Sequence, residues 1–396
     1  QVGPTSIPQT WDWCSGYHAS DSTVIGFSHT HLSGTGIGDL FDVTVMPVTG
    51  DVTYARGEEA DPASGLWSYA DRTQEIARPG YYSVPLTRYG IRAELTATAR
   101  VGLHRYTFPA SDAAAVVFDL ENGGCWDKAT ETHLAKEGDR TVTGWRHSTG
   151  WAKDQRVYFV AEFSKPFEKF ETIGDNYARA SFRTTDGEQV SLKVALSPVS
   201  VEGARENLAA ELPGWDFEET AKAADKAWND ELSKVKITTA DETARRIFYT
   251  ALYHTMIAPS LFCDVNGDYY GSDHAIHRNA DFTNYTTFSL WDTYRAAMPL
   301  MTVLHPEKMA DIVQTMLTIS DEQGRLPVWH LWGNETDCMV GNPGIVAVAD
   351  AIVKGIGGFD REKAFEAIRK TAMNPDRGNG LRMEYGYIPC EMFNEA

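Results

Sequence analysis

The sequence contains little cysteine, has a deficit of basic residues and lacks any long apolar run. Its five cysteines are scattered without a Cys-x-x-Cys pair, which argues against a disulfide scaffold or a zinc finger. No stretch of about 18 apolar residues exists, so no membrane span is encoded. The 55 acidic and 36 basic residues give a net charge of −19, which disfavours nucleic acid and anionic membranes as partners.

The beginning of the chain shows no targeting signal. The sequence starts at Gln1 without an initiator methionine, and no basic region followed by an apolar region is found there. We therefore expect a processed or truncated product from which the targeting segment is missing.

The first half of the sequence has the pattern of a β-domain. With 396 residues and 42% hydrophobic content, the chain is long enough for two separate cores. Short alternating or apolar segments are separated by Gly, Pro, Asn and Asp, with no long helical pattern between them. These segments are 41–48, 91–99, 114–120, 141–147, 157–163 and 190–197. Their spacing predicts an antiparallel β-sandwich.

The second half has helical periodicity instead. Apolar residues recur at helical spacing in 217–235, 247–255, 289–304, 306–320, 344–356 and 360–372. Thr239 and Glu242 form a capping-box pattern before the second of these helices. Helix pairs with short connections predict a helical hairpin array or an α/α barrel. We assign residues 1–205 to the β-sandwich domain, 206–240 to a linker with a helix, and 241–396 to the first part of an α/α-barrel catalytic domain.

The segment Phe288 to Arg295 carries the clearest binding chemistry. It places a carboxylate (Asp292), an indole (Trp291) and a guanidinium (Arg295) on one helical turn. A carboxylate accepts hydrogen bonds from sugar hydroxyls, and an indole packs against a pyranose ring. Alternatively, Ser289 caps a helix whose first turn carries Asp292 for electrostatic reasons alone.

Two further loops combine aromatic, polar and glycine residues. The first loop spans 11–18 and 27–36, where His18 and His31 are candidate ligand contacts because nearby glycines permit close approach. His29 and His31 could share a metal, but no third ligand is evident. The second loop, 327–339, has the mixed polar groups of a carbohydrate subsite; its alternatives are helix capping by Asn334 or Thr336 and a core position for Trp332.

These motifs resemble a known family. WDWCSGYH, FSHTHLSGTGIGD, SLWDTYRA, GNETDCMVGNPG and GYIP occur in the order and spacing found in glycoside hydrolase family 92. The family consists of exo-acting, calcium-dependent α-mannosidases that invert anomeric configuration. The resemblance implies an N-terminal antiparallel β-sandwich packed on an (α/α)6 barrel, a mannose-containing glycan as substrate, and Ca²⁺ as cofactor. It further implies α-1,2-type specificity and a secreted, periplasmic or cell-surface location in a bacterium.

The resemblance also assigns site residues. Asp292 matches the family's acid in the W-D-T motif and is expected to bind mannose hydroxyls. The other implied substrate-binding residues lie in the sandwich-domain loops and in the G-N-E-T motif. They are Trp11, Cys14, Gly16, His18, His31, Gly34, Glu335 and Thr336.

The end of the chain departs from the family pattern. The family's general acid, its general base and most calcium ligands lie beyond the position of Ala396, so we expect no catalytic residue and no metal ligand within this chain. About half of the helices of a six-hairpin barrel are predicted, and the barrel is expected to be incomplete unless a missing C-terminal part or a second polypeptide completes it. The residues leave two alternatives open: an α/α-barrel glycosidase or phosphorylase acting on α-glucosides, and a non-catalytic carbohydrate-binding product.

Overall fold

The computed structural model describes residue 17 and residues 21–32, 39–58, 61, 63–124 and 126–393. The chain divides into two compact units. Unit 1 comprises residues 1–151 and 156–233, and unit 2 comprises residues 152–155 and 234–396. The sequence-based domain boundaries stay a prediction.

Unit 1 is built mainly from β-strands. In chain order they are β1 (Thr23–Val24), β2 (Thr44–Thr49), β3 (Ser68–Tyr69), β4 (Ile76–Arg78), β5 (Tyr81–Leu86), β6 (Ile91–Ala97), β7 (Val101–Phe108), β8 (Ser111–Asp119), β9 (Lys128–Glu137), β10 (Thr141–Thr149), β11 (Gln155–Phe163), β12 (Lys169–Ile173), β13 (Tyr177–Thr184) and β14 (Glu188–Ser197). Each of the six predicted segments overlaps one of these strands. The strand β2, which the sequence predicts from residue 41, begins at Thr44. The reason is that Phe41 and Val43 have positive φ angles, which extended strands do not allow.

Two sheets of unit 1 pack face to face, as the sequence predicts. One sheet has the order β4-β5-β6-β7-β14-β11-β10-β9, and the other has the order β12-β13-β8-β2. Phe118 of the smaller sheet stacks on Phe159 of the larger one with ring centroids 6.1 Å apart. Phe163 and Phe182 form a second contact between the sheets, at 6.4 Å. Side chains that alternate along each strand thus form one sandwich core.

Two helices of unit 1 cover part of the larger sheet. These are α1 (Val201–Glu211) and α2 (Phe217–Leu232), with Ser200 and Asp216 as side-chain N-caps. Leu208 and Phe217 are buried in a cluster with Val101 and Leu103 of β7. Residues 201–232 therefore contribute to the core of unit 1.

A group of charged side chains is buried inside unit 1. The Arg146 guanidinium donates from Nη1 to the carboxylate of Asp42 at 2.7 Å and from Nη2 to Asp127, and all three side chains have zero exposure. Its Nε donates to the carbonyl of Leu120 at 2.7 Å. Thr30 donates to Asp42 at 2.6 Å, so the buried charges are also hydrogen bonded.

Unit 2 consists of helices joined by short strands. The helices are α3 (Glu242–His254), α4 (Leu290–Thr293), α5 (Ala297–Leu304), α6 (Pro306–Gln323), α7 (Pro343–Val353), α8 (Arg361–Ala372) and α9 (Asn379–Tyr385). The strands are β15 (Ser260–Leu261), β16 (Tyr269–Tyr270), β17 (Ile276–His277), β18 (Tyr285–Thr286), β19 (Phe288–Ser289), β20 (Trp329–Leu331) and β21 (Asn334–Glu335). Among the described residues, no helix has both the length and the apolar character needed to cross a membrane.

Helix α6 is the centre of the core of unit 2. Met309, Ile312, Val313 and Met316 follow helical spacing and are at most 1% exposed. They pack with buried residues of α7 and α8. The helix ends at Gly324, whose φ of 91° is the left-handed conformation of a C-cap, as predicted.

Two details of the predicted helices are wrong. The helix α3 is capped by Asp241, whose carboxylate accepts from the backbone N–H groups of Thr243 and Ala244 at 2.9 and 3.0 Å, and not by Thr239. The predicted helix 289–304 is interrupted at Ala296, whose φ of −142° is not helical. The interruption places Pro299 in the first turn of α5, where its missing N–H has no helical acceptor to lose.

Candidate functional site

Two of the sequence motifs meet in a small sheet of unit 2. The W-D-T motif follows β19, the G-N-E-T motif contains β21, and the strand order is β19-β20-β21. Phe288 pairs with His330, and His330 pairs with Glu335. Neighbouring strands lie about 4.8 Å apart, so this register brings the turn after β19 close to the loop after β21.

Asp292 presents an open carboxylate in the turn after β19. It lies in the four-residue helix α4, and it is exposed. Ser289 makes no side-chain cap of this helix; its hydroxyl instead donates to Oδ2 of Asp292. In the part of the chain that the structure describes, Oδ1 of Asp292 has no hydrogen-bond donor. Arg295 lies over the Trp291 ring, with its guanidinium carbon 5.0 Å from the ring centroid.

Glu335, in contrast, uses both carboxylate oxygens to hold the loop. Its Oε1 accepts from the backbone N–H groups of Trp329 and Asp337 at 2.8 and 3.0 Å, and its Oε2 accepts from that of Val328 at 2.8 Å. The Thr336 hydroxyl donates to the carbonyl of Trp329 at 2.8 Å. Both side chains therefore stabilise the backbone of the G-N-E-T loop, and neither caps α7.

The backbone of this loop is strained. Trp332, Asp337 and Met339 have φ angles of 49°, 54° and 76°, a region that non-glycine residues rarely adopt. Arg377 fixes two of them, since it donates to the carboxylate of Asp337 at 2.8 Å and to the carbonyl of Met339 at 2.5 Å. Strained loops held by such contacts are common at ligand sites.

The electrostatics around Cys338 shows that the two motifs are close. Burial raises the pKa of the Cys338 thiol, and the negative charges of Asp292 and Glu335 add to this shift. The thiol therefore stays protonated near neutral pH and is a poor nucleophile. The carboxylate of Asp292, in contrast, is exposed and has one oxygen open for a ligand.

The candidate residues of the N-terminal loops are mostly not described. Trp11, Cys14, Gly16, His18 and Gly34 lie outside the described residues. Their role in binding stays a prediction.

His31 belongs to unit 1 and is exposed. Its Nε2 lies 2.9 Å from the hydroxyl of Ser28, and its ring contacts the edge of Phe41. The nitrogens of His29 have other partners. Its Nδ1 lies 2.6 Å from the carbonyl of Val43, and its Nε2 lies 2.8 Å from Nε2 of His104. The two histidines thus give no support to a shared metal.

The paired histidines His29 and His104 have a defined protonation pattern. The carbonyl of Val43 requires a hydrogen on Nδ1 of His29, so the Nε2 of His29 accepts from His104. The Nδ1 of His104 then accepts from the Tyr106 hydroxyl, 2.8 Å away. Burial lowers the pKa of His29 to about 4 and also lowers that of His104. Both rings are therefore neutral near pH 7, and the pair is a structural element of unit 1.

The two halves of the chain match two descriptions of one family. Residues 1–197 match the glycosyl hydrolase family 92 N-terminal domain, and residues 203–396 match the glycosyl hydrolase family 92 catalytic domain. The chain belongs to glycoside hydrolase family 92. The β-sandwich and the partial α/α barrel predicted from the sequence agree with the structures of this family.

Solved structures of family 92 resemble most of the chain. The α-mannosidase BT3965 from Bacteroides thetaiotaomicron is 38% identical with a TM-score of 0.91, over 96% of this chain and 54% of that chain. The inverting mannosidase BT2199 from the same organism is 27% identical with a TM-score of 0.83, over 97% of this chain and 54% of that chain.

A curated protein described as a glycosidase also matches most of the chain. A protein of Arthroderma benhamiae described as an uncharacterized secreted glycosidase is 26% identical over 428 residues, which cover 96% of this chain and 50% of that protein. The chain thus spans about half the length of the relatives that it matches.

One group of possible metal ligands occurs among the described residues, and the sequence reasoning missed it. Asp273, His277 and Glu322 place one ligand atom each within 4.8 Å of the others. The four-residue spacing of Asp273 and His277 was the available signal, but Glu322 is distant in sequence. Calcium prefers six to eight oxygen ligands, and this set contains an imidazole nitrogen. The group does not fit the calcium that family 92 implies, and we assign no calcium ligand among the residues that the structure describes.

Proposed function

We propose that this protein acts in the hydrolysis of terminal non-reducing α-mannosides, in mannose-containing oligosaccharides or N-glycans, with inversion and in a calcium-dependent way. Family membership supports the reaction class. The α-mannosidase BT3965, which is similar to this chain, is also known in complex with mannoimidazole. An α-1,2-type linkage preference and a secreted, periplasmic or cell-surface location belong to the same proposal. The description of the Arthroderma relative as secreted supports the location.

The proposal rests on one observation, the exposed carboxylate of Asp292. An exposed carboxylate with one oxygen bound to Ser289 and the other open can accept a hydrogen bond from a sugar hydroxyl. The loop 334–339 near it is held by the hydrogen bonds of Arg377 to Asp337 and Met339. We propose that Asp292 orients the terminal mannose by its hydroxyls.

The remaining predicted substrate-binding residues divide into two groups. Glu335 and Thr336 hold the loop through the hydrogen bonds described above, and any contact with sugar is additional to that role. The six predicted residues of the N-terminal loops are proposed to contact the substrate as well. They are Trp11, Cys14, Gly16, His18, His31 and Gly34.

The chemical step needs more carboxylates than Asp292. An inverting glycosidase uses a general acid and a general base whose carboxyl groups are roughly 6.5–9.5 Å apart. Glu335 is occupied by backbone donors, and Asp337 is bound by Arg377. We propose that the acid and base are supplied by sequence that these 396 residues do not include, so Asp292 binds and orients the substrate.

The test compares Asp292→Asn with the unchanged protein, extended to the length of its relatives. Hydrolysis of p-nitrophenyl α-mannoside and α-glucoside is measured with and without a chelator. We expect mannoside turnover that is lost with the chelator, and a decrease in kcat/KM of about 10- to 150-fold in Asp292→Asn, since a charged hydrogen bond contributes about 1.5–3 kcal/mol. The control Asp281→Asn, which changes an exposed acid of unit 2, is expected to keep full activity.

Three results would contradict parts of the proposal. An unchanged kcat/KM in Asp292→Asn would remove Asp292 from the site. Turnover of the α-glucoside alone would favour an α-glucoside hydrolase or phosphorylase. Mannose binding without turnover in the extended protein would favour a carbohydrate-binding product.

A further inference from the structure

The group formed by Asp273, His277 and Glu322 has the geometry of a metal site. The Nε2 of His277 lies 3.1 Å from Oδ1 of Asp273 and 3.4 Å from Oε1 of Glu322. A tetrahedral ion with bonds of about 2.0–2.1 Å holds its ligand atoms about 3.3–3.4 Å apart. The two carboxylate oxygens therefore lie about as far from Nε2 of His277 as two ligand atoms of a tetrahedral site lie from each other.

One proton on Nε2 of His277 can serve only one of the two carboxylates that face it. A hydrogen on Nε2 of His277 points toward one acceptor, whereas two carboxylates face this nitrogen. Glu322 has a side chain only 6% exposed. Replacing the proton with a divalent cation would neutralise both carboxylates and use the nitrogen lone pair.

The surroundings of the group hold the ligands in position. The Tyr269 hydroxyl donates to Oε1 of Glu322 at 3.0 Å, and the backbone N–H of Ser272 donates to its Oε2 at 2.7 Å. The ring of Tyr269 stacks on the imidazole of His277, with centroids 4.9 Å apart and planes at 8°. Such outer contacts are typical of metal sites, because they fix the orientation of the ligating groups.

A glycine keeps the space between the ligands open. A Cβ atom at Gly271 would lie 2.6 Å from Oδ1 of Asp273 and 2.7 Å from Nε2 of His277. The φ angle of Gly271 is not positive, so the backbone conformation does not require glycine there. A methyl group at this position would fill the space between Asp273 and His277, where an ion would bind.

We propose that Asp273, His277 and Glu322 bind one divalent cation of the zinc class. The mixed nitrogen and oxygen donors favour Zn²⁺ over Ca²⁺ or Mg²⁺, which prefer oxygen alone. The fourth position is open to water or to the second oxygen of Asp273. The ion would connect the β16–β17 hairpin to the last turn of α6. This site is separate from the family's calcium requirement and does not depend on the proposed mannosidase activity.

The test is a calorimetric titration of the full, tag-free protein with ZnCl₂ in the presence of excess CaCl₂. We expect saturable binding of one Zn²⁺ and a rise in Tm of a few degrees, because the ion binds the folded state. His277→Gln removes a ligand. Gly271→Ala fills the space between Asp273 and His277 without removing a ligand. Each is expected to weaken binding by at least about 100-fold, and Tyr269→Phe by about 10- to 100-fold.

The control is His254→Gln, which changes an exposed histidine at the end of α3 and should bind Zn²⁺ as the unchanged protein does. Metal-free Tm values show whether each variant is folded. Because the atoms nearest to a Cβ at Gly271 belong to the side chains of Asp273 and His277 and not to the backbone, Gly271→Ala tests the site even if His277→Gln fails to fold. The absence of saturable binding, or equal binding in Gly271→Ala, would overturn the site. Displacement of Zn²⁺ by an equal concentration of Ca²⁺ would overturn the metal class.

Discussion

The two units of the molecule use charged side chains in opposite ways. In unit 1, Arg146, Asp42 and Asp127 are fully buried and bind one another. In unit 2, Asp292 is exposed, with one oxygen open. Glu335 is intermediate, since it is partly buried and most of its partners are backbone N–H groups. The hydrogen-bond partners of an acidic side chain, and not its residue type, therefore decide whether it stabilises the fold or is available to a ligand.

The largest effect is expected from breaking the buried group of unit 1. Arg146→Met leaves two buried carboxylates without a cation and should lower the free energy of unfolding by about 3–5 kcal/mol. Urea unfolding measures this loss. The matched control is Arg183→Met, whose ion pair with Glu168 is exposed and should cost less than about 1 kcal/mol. Equal losses in the two variants would show that burial does not determine the contribution of these pairs.

A smaller loss of stability is expected at Glu335. Glu335→Ala leaves the backbone N–H groups of Val328, Trp329 and Asp337 without an acceptor. Water reaches part of this loop, so we expect a total loss of about 1–3 kcal/mol in urea unfolding. Unchanged stability would mean that the loop does not need this carboxylate.

A pH effect is expected from Asp39, a buried acid near the Arg146 group that has no cationic partner among the described residues. Asp39 is 1% exposed, and its Oδ1 has no hydrogen-bond partner among the described residues. Burial raises the pKa of Asp39 to about 7, and the charge of Asp127 adds to this. Between about pH 4 and pH 7 the folded state therefore binds more protons at this position than the unfolded state, and its contribution to stability decreases as pH rises.

The variant Asp39→Asn removes this titration. From pH 5.5 to pH 7 the unchanged protein should lose about 1–2 kcal/mol more stability than the variant. Urea unfolding at several pH values measures the difference. Parallel pH profiles would mean that Asp39 is ionised in the folded state.

The smallest effect on stability is expected at Asp292. Asp292→Asn keeps the shape of an exposed side chain whose described donor is Ser289. Its free energy of unfolding should stay within about 0.5 kcal/mol of that of the unchanged protein. A loss as large as that of Glu335→Ala would contradict the distinction between an available and a structural acid.

The sequence predicted six of the strands of unit 1 and most of the helices, but few of their exact ends. Strands and long helices follow from the spacing of apolar residues, which reflects the burial of one face. The helix α1 was missed because its apolar residues are few, with Leu208 as its large buried side chain. The break at Ala296 was missed because the apolar pattern continues through it.

Part of the candidate site was also available from the sequence. Asp292 and the G-N-E-T loop stand out as unusual combinations of residues, and the structure places them side by side through the pairing of β19, β20 and β21. The roles of Glu335 and Ser289 could not be predicted, because they depend on which backbone and side-chain groups lie within hydrogen-bond distance.

The sequence alone predicted the change from β-sandwich to helical unit, the family, and the place of Asp292 on a helical turn. These features depend on local periodicity and on short motifs. Only the tertiary structure decided that Arg146 neutralises Asp42 and Asp127, and that Glu322 meets Asp273 and His277. The physical reason is that these contacts join residues far apart in the chain, where folding and not spacing sets the distance between charged atoms.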